Sequence, residues 1–255
     1  AMILTPALVL RVGFEEMLWI YGLAAALAAF VFLWIAREHP PVPPEPGAPE
    51  ERILVFDGLK AMIRRRDVLF LMAIFFIGLG LFNAVSTWIE DIVRPRGFSI
   101  SQAGWLGGLM LLGGIIGAIV MPVLSDKIAR RKPFILIALA GLIPGLIGMT
   151  FTTSLPVLLA AGFVFGFFLL SAGPIGFQYA AEITRPIPEG ASNTVLLLMG
   201  QVSGVLFILA MDAFKSKATG SMTGSLVILT AMIIGSFGLA LFLPESLKKP
   251  AASRP

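Results

Sequence analysis

Residues 133–181 form 49 consecutive positions without a charge, and after a short corner residues 190–211 form another 22. A helix of 22 residues rises about 33 Å, and a bilayer's hydrocarbon core is about 30 Å thick. Runs of this kind leave a chain little choice but to cross lipid. The backbone finds no partner there except itself, so each run must be a helix. The corner holds Glu182, Arg185 and Glu189 among Pro186, Pro188 and Gly190. It reads as a loop at a membrane face joining a descending and a rising helix.

The same reading extends to the whole chain. With 57% hydrophobic and 13% charged residues, a soluble fold of this size would have an apolar surface. The class is an all-α, multi-pass membrane protein. There is no cysteine, hence no disulfide or thiol chemistry. Seven spans are expected: 17–36, 68–89, one within 97–125, two within 133–181 with a turn near 152–156, 190–211, and one within 218–244. Residues 1–10 are too short to span and read as the end of an earlier helix, with Arg11, Glu15 and Glu16 in a loop. The chain starts with Ala and is read as an excerpt, with roughly half of the protein lying upstream.

The domains follow: 1–36, the end of an N-terminal bundle; 37–67, a cytoplasmic linker; 68–244, a C-terminal six-helix bundle; 245–255, a cytoplasmic tail. The linker opens with HPPVPPEPGAPEE, which is proline-rich and extended. In its second part Ile53, Phe56, Leu59, Met62 and Ile63 recur at helical spacing, the pattern of an amphipathic helix on a membrane surface.

Lys and Arg fall outside every span. The side facing 37–67, 126–132, 182–189 and the tail carries 14 of them; the other carries five, namely Arg11, Arg94, Arg96, Lys215 and Lys217. The richer side is expected to be cytoplasmic, with the C-terminus inside a cell membrane. Trp19, Trp34, Trp88 and Trp105 fall near span ends, where interfacial aromatics gather. The positive charge therefore marks topology rather than a nucleic-acid partner.

Several polar positions stand out. SDKIARRK at 125–132 places Asp126 beside Arg130 and Arg131 in a short loop, a latch able to hold one arrangement of a helix pair, or simple anchoring charge. Gln201 is an amide inside a span, flanked by Gly200 and Gly204; it faces a solute or bonds a neighbouring helix. Glu182 ends the fifth span and is either a gate or an interfacial ion-pair partner. Gln178 and Tyr179 lie one turn deeper, where an inward-open cavity would reach them. Gly173 and Pro174 break the same helix near its middle. Gly104, Gly108, Gly113 and Gly117 permit close helix packing. His39, the single histidine, reads as a solvated loop residue. No constellation supports catalysis, metal binding or a nucleotide cofactor.

SDKIARRK resembles the second copy of the cytoplasmic signature of the major facilitator superfamily, through Asp126, Lys127, Arg130 and Arg131. Pro122 stands where that signature usually has glycine. The resemblance implies the last seven of twelve helices: a C-terminal six-helix bundle plus the preceding transmembrane helix. AAEITRPIPEGASN (180–193), GQVSG (200–204), REHPPVPPEP and FNAVST (82–87) further resemble the transporters related to the feline leukaemia virus subgroup C receptor. That family is implied to move choline and ethanolamine, with haem export also assigned to it. By resemblance, Phe82, Asn83, Gln178 and Gln201 face the solute, while Asp126, Arg130 and Arg131 latch the cytoplasmic side, where Glu182 is the further candidate gate. Asn83 occupies the position of the family's substrate-facing aromatic, and Phe82 is its neighbour.

The expected function is a secondary or facilitative alternating-access transporter of a small organic solute such as choline or ethanolamine, not an enzyme. It needs no cofactor; its partners are the solute, the bilayer and a missing N-terminal six-helix bundle. No acid lies deep in a span, so any proton coupling would sit in the other half. The alternatives are a non-transporting receptor or scaffold that keeps the fold, and a haem or drug exporter.

Overall fold

The computed structural model describes residues 4–35, 60 and 62–246. They fall into two compact units that divide within the linker. The first holds α1 (Leu4–Val12) and α2 (Phe14–Ile35). The break between them is one residue, Gly13, at φ +97°, a conformation that a side chain would strain. Arg11 and Glu15 are thus helical rather than in a loop. Thr5 and Tyr21 join the two helices by a hydroxyl–hydroxyl bond of 2.9 Å.

The second unit is a bundle of six long helices: α3 (Arg66–Thr87), α5 (Ile100–Ile128), α6 (Lys132–Phe151), α7 (Leu155–Ile183), α8 (Glu189–Ala213) and α9 (Thr223–Leu241). A short α4 (Ile89–Val93) and a 3₁₀ turn (Arg94–Arg96) follow α3. With α2, these make seven helices among the described residues that are long and apolar enough to cross a membrane. The chain is a multi-pass membrane protein.

Local chemistry fixes the helix ends. Ser99 and Gln102 start α5 with a reciprocal capping box, at 3.3 and 2.8 Å. Prolines in the first turn open α6 and α7, where the missing N–H costs nothing. Charges do not end the helices: Asp126 and Lys127 lie inside α5, and Glu182 inside α7. Pro122, Pro144 and Pro174 are all accommodated within continuous helices, as membrane bundles allow.

Packing is most extensive between α5 and α7, followed by α3 with α8 and α6 with α7. Lipid gives no hydrophobic drive for helix association, so close van der Waals contact must supply it. Gly113 and Gly117 of α5 lie against the backbone of Phe163 and Phe167, and Gly166 of α7 lies against that of Met110. Gly104, expected to do the same, faces open space. Gly80 meets Ser203, and Gly200 meets Leu79, across α3 and α8. The core between these contacts contains Leu71, Leu106, Met110, Leu142, Phe165 and Tyr179, all buried.

Of the amphipathic linker, Lys60, Met62 and Ile63 are described, and they are helical. Met62 is buried against Val68 and Val195, within protein rather than on a membrane surface. Ile53, Phe56, Leu59 and the proline-rich stretch with His39 lie outside the described residues.

Candidate solute cavity and ion-pair cluster

Alternating directions give the bundle two ends. One carries residues 62–67, the three-residue 129–131 connection, the 184–188 corner and residues 244–246; it is the basic end. The other carries residues 88–99, 152–154 and 214–222.

Between α3 and α7 lies a cavity of about 250 Å³. Phe75, Gly78 and Phe82 line it from α3, Gly173, Pro174 and Phe177 from α7. Leu197 of α8 joins them. The rings of Phe75 and Phe177 meet at 5.1 Å between centroids. Gly176 presses on Phe75 and brings the two helices together at the cavity wall.

Of the four residues expected to face a solute, Phe82 lines this cavity. Asn83 does not: its Nδ2 donates to the carbonyl of Gly200 at 3.4 Å, and its side chain fills the space left by Gly204. The amide is a bridge between α3 and α8. Gln201 is exposed and sits one turn beyond Leu197 on the same face of α8. The Asn83 bond sets Phe82 and Gln201 at one depth.

Gln178 is elsewhere. It lies one turn from Pro174 toward the basic end, and its Nε2 donates to Glu182 at 3.4 Å. Because Gly176 is level with Phe75, Gln178 stands roughly 15 Å from the depth of Gln201, counted at 1.5 Å per residue along α3. One small solute does not touch both in this conformation. Tyr179 also leaves the expected solute path: it is fully buried and donates to the carbonyl of Pro244 at 2.8 Å.

The basic end is organised by Arg131. Its buried guanidinium pairs with Asp126 of α5 and with Glu182 of α7, the latter at 3.2 Å, and also donates to Ser125 at 3.2 Å. Ser246 donates to the other oxygen of Glu182 at 2.5 Å. The Glu245 carboxylate accepts from the backbone N–H of Arg131 at 2.7 Å and of Lys132 at 3.3 Å, which is favourable at a helix N-terminus. Arg130, expected to share the latch, is exposed; its carbonyl accepts from Ser125 at 2.7 Å. The reason is the loop's shortness. Ala129 takes a left-handed conformation at φ +55°, and of the next two residues Arg130 is exposed while Arg131 is buried. Glu245 and Ser246 were missed by sequence reasoning, which assigned them to a tail. Glu245 being the sole acid after Asp212 was the available signal.

The opposite end has its own ties. Lys215 pairs with Asp91 at 2.8 Å and lies 5.3 Å from the ring centre of Trp88, whose indole N–H donates to Ile208 at 3.1 Å. These join the ends of α3 and α8. Arg96 donates to the carbonyls of Thr152 and Ile92 at 3.0 and 3.2 Å. Burial lowers its pKa from the usual arginine value, yet an arginine stays protonated at any physiological pH.

The second unit is thus a six-helix membrane bundle with close helix pairs α3–α8, α5–α7 and α6–α7, a cavity lined by α3, α6, α7 and α8, and an arginine–carboxylate cluster at one end. The chain belongs to the Major Facilitator Superfamily, whose family model matches residues 1–207 and again 89–255. An uncharacterized protein of Archaeoglobus fulgidus is 32% identical over 231 residues, covering 90% of this chain and all of that protein. Solute carrier family 49 member A3 of Xenopus tropicalis is 29% identical over 82% of this chain and 45% of its own length. The mouse choline/ethanolamine transporter FLVCR1 is 27% identical over 84% of this chain and 40% of its own. The chain thus spans less than half the length of these animal relatives.

Proposed function

We propose that this bundle is one half of an alternating-access transporter for a small organic solute, with an amine of the choline or ethanolamine kind as the favoured cargo. The observation that carries the reading is the level shared by Phe82, which lines the cavity between α3 and α7, and Gln201, exposed one turn from the lining Leu197. A ring offers its face to a quaternary or primary ammonium. A side-chain amide orients the hydroxyl end of such a molecule. The name borne by the FLVCR1 relative supports the same cargo. Asn83 holds α8 against α3 and so positions Gln201; it acts through the helix rather than on the solute.

A second six-helix bundle, corresponding to the additional length of the animal relatives, supplies the facing wall. The two bundles rock about the site. Asp126, Arg131 and Glu182 hold the basic end of α5, α6 and α7 as one body during that motion, and Gln178 belongs to this gate. The Lys and Arg excess puts the basic end and the C-terminus in the cytoplasm, with the chain in the cell membrane.

The test is a thermal-shift screen of the full-length protein against amines, amino acids, nucleosides and tetrapyrroles. A ligand that binds the native state at a hundred times its Kd stabilises it by about 2.7 kcal/mol. The expected result is stabilisation by an amine that Gln201→Ala abolishes while Gln178→Ala weakens it less. No stabilisation by any class, or an undiminished shift in Gln201→Ala, contradicts the reading and favours a scaffold that keeps the fold.

A further inference from the structure

The cavity does not stop at Phe82. It continues behind α3 to Ile135, Leu139 and Leu142 of α6, a helix that the solute site does not use. Along α3 it runs from Leu71 to Phe82, roughly 16 Å at 1.5 Å per residue. None of its lining residues has a polar side chain. A water molecule needs two to four polar partners, so a space of this size and lining stays dry and accepts apolar guests.

We infer that this inner chamber holds an unbranched hydrocarbon tail carried by the amine, so that the cargo class of the proposed site extends to choline-like head groups bearing an apolar chain. The inference rests on the proposed solute site and deepens it. Phe82 belongs to both regions: it lines the chamber and stands level with Gln201. A head group held between them directs its tail past Gly78, where no side chain blocks the way, toward Leu139 and Leu142. An added Cβ at Gly78 or Gly173 meets nothing within 4 Å, so both glycines keep the passage open. The rings of Phe75 and Phe177 form part of its wall, and Leu71 marks its limit toward the basic end.

The experiment uses n-alkyl-trimethylammonium salts, from tetramethylammonium to the decyl compound, and the full-length protein in nanodiscs. Affinities are corrected for partition into empty discs. Each methylene moved from water into an apolar site contributes about fourfold in affinity. The expected result is that gain with each carbon, levelling off once the tail outgrows the chamber. Leu139→Trp fills the far end and flattens the series, with tetramethylammonium binding as before. Gly173→Leu obstructs the passage and gives the same flattening should the tryptophan variant fail to fold. A length series with no gain in the wild type, or a gain identical in both variants, overturns the inference. If tetramethylammonium binds and length adds nothing, the chamber fails and the small-amine reading stands. If only long tails bind, the chamber stands and the compact-amine reading fails.

Discussion

Arg131→Met destabilises the protein by about 3–5 kcal/mol, whereas Arg130→Met, one residue away, changes stability by less than about 0.5 kcal/mol. Both remove one arginine from one three-residue connection. They differ in what is left behind. Arg131 and Glu182 are both largely withdrawn from solvent, with side chains 7% and 10% exposed. Removing the guanidinium leaves a buried carboxylate with Gln178 and Ser246 as its remaining polar partners. The cost is that of an unpaired charge in a poor solvent for ions, not the modest worth of a surface bridge. Removing both charges avoids most of this penalty. Arg131→Met with Glu182→Met is therefore more stable than Arg131→Met alone. Denaturant unfolding in detergent micelles measures all three. Equal losses for Arg130→Met and Arg131→Met contradict the assignment.

Gly166→Ala has the second large effect, about 3 kcal/mol or more. The added methyl carbon would lie 1.8 Å from the carbonyl oxygen of Met110, and at Gly117 it would lie 2.0 Å from that of Phe167. Backbone cannot rotate aside as a side chain can, so α5 and α7 must move apart along their length. That separation forfeits the dispersion contacts that hold membrane helices together. It also shifts Gly173 and Pro174, and with them the cavity wall. Gly104→Ala, on α5 and facing open space, is expected to be neutral or slightly stabilising, since alanine is the better helix former. Thermal melts of the two variants side by side check the contrast; coincident melts contradict it.

The spans were legible because lipid imposes a length and forbids charge. The run at 17–36 became Phe14–Ile35, 68–89 became Arg66–Thr87, and the turn expected near 152–156 is the break between α6 and α7. The family was legible from the Asp126 loop and the 180–193 corner. The polar sites were less so. Asn83 and Gln201 are both amides in spans, and nothing in spacing distinguishes the one that bridges two helices from the one left exposed on α8. That distinction depends on Gly204 leaving a space for Asn83. Arg130 and Arg131 are adjacent basic residues, and the conformation of Ala129 decides which turns inward. Gln178 was grouped with Gln201 because sequence gives no relative depth for helices that run in opposite directions. The apolar chamber had no signal at all, because every residue around it looks like ordinary core.

The central claim is that Gln201 faces a watery solute path and not lipid. The chain lacks cysteine, so a single one can be introduced cleanly. Gln201→Cys in the full-length protein is treated with a membrane-impermeant, water-soluble methanethiosulfonate, with Leu206→Cys, exposed roughly 140° around the same helix, as the comparison. The predicted result is rapid labelling at 201 and slow labelling at 206. Labelling at 201 only by a lipid-soluble reagent would contradict it.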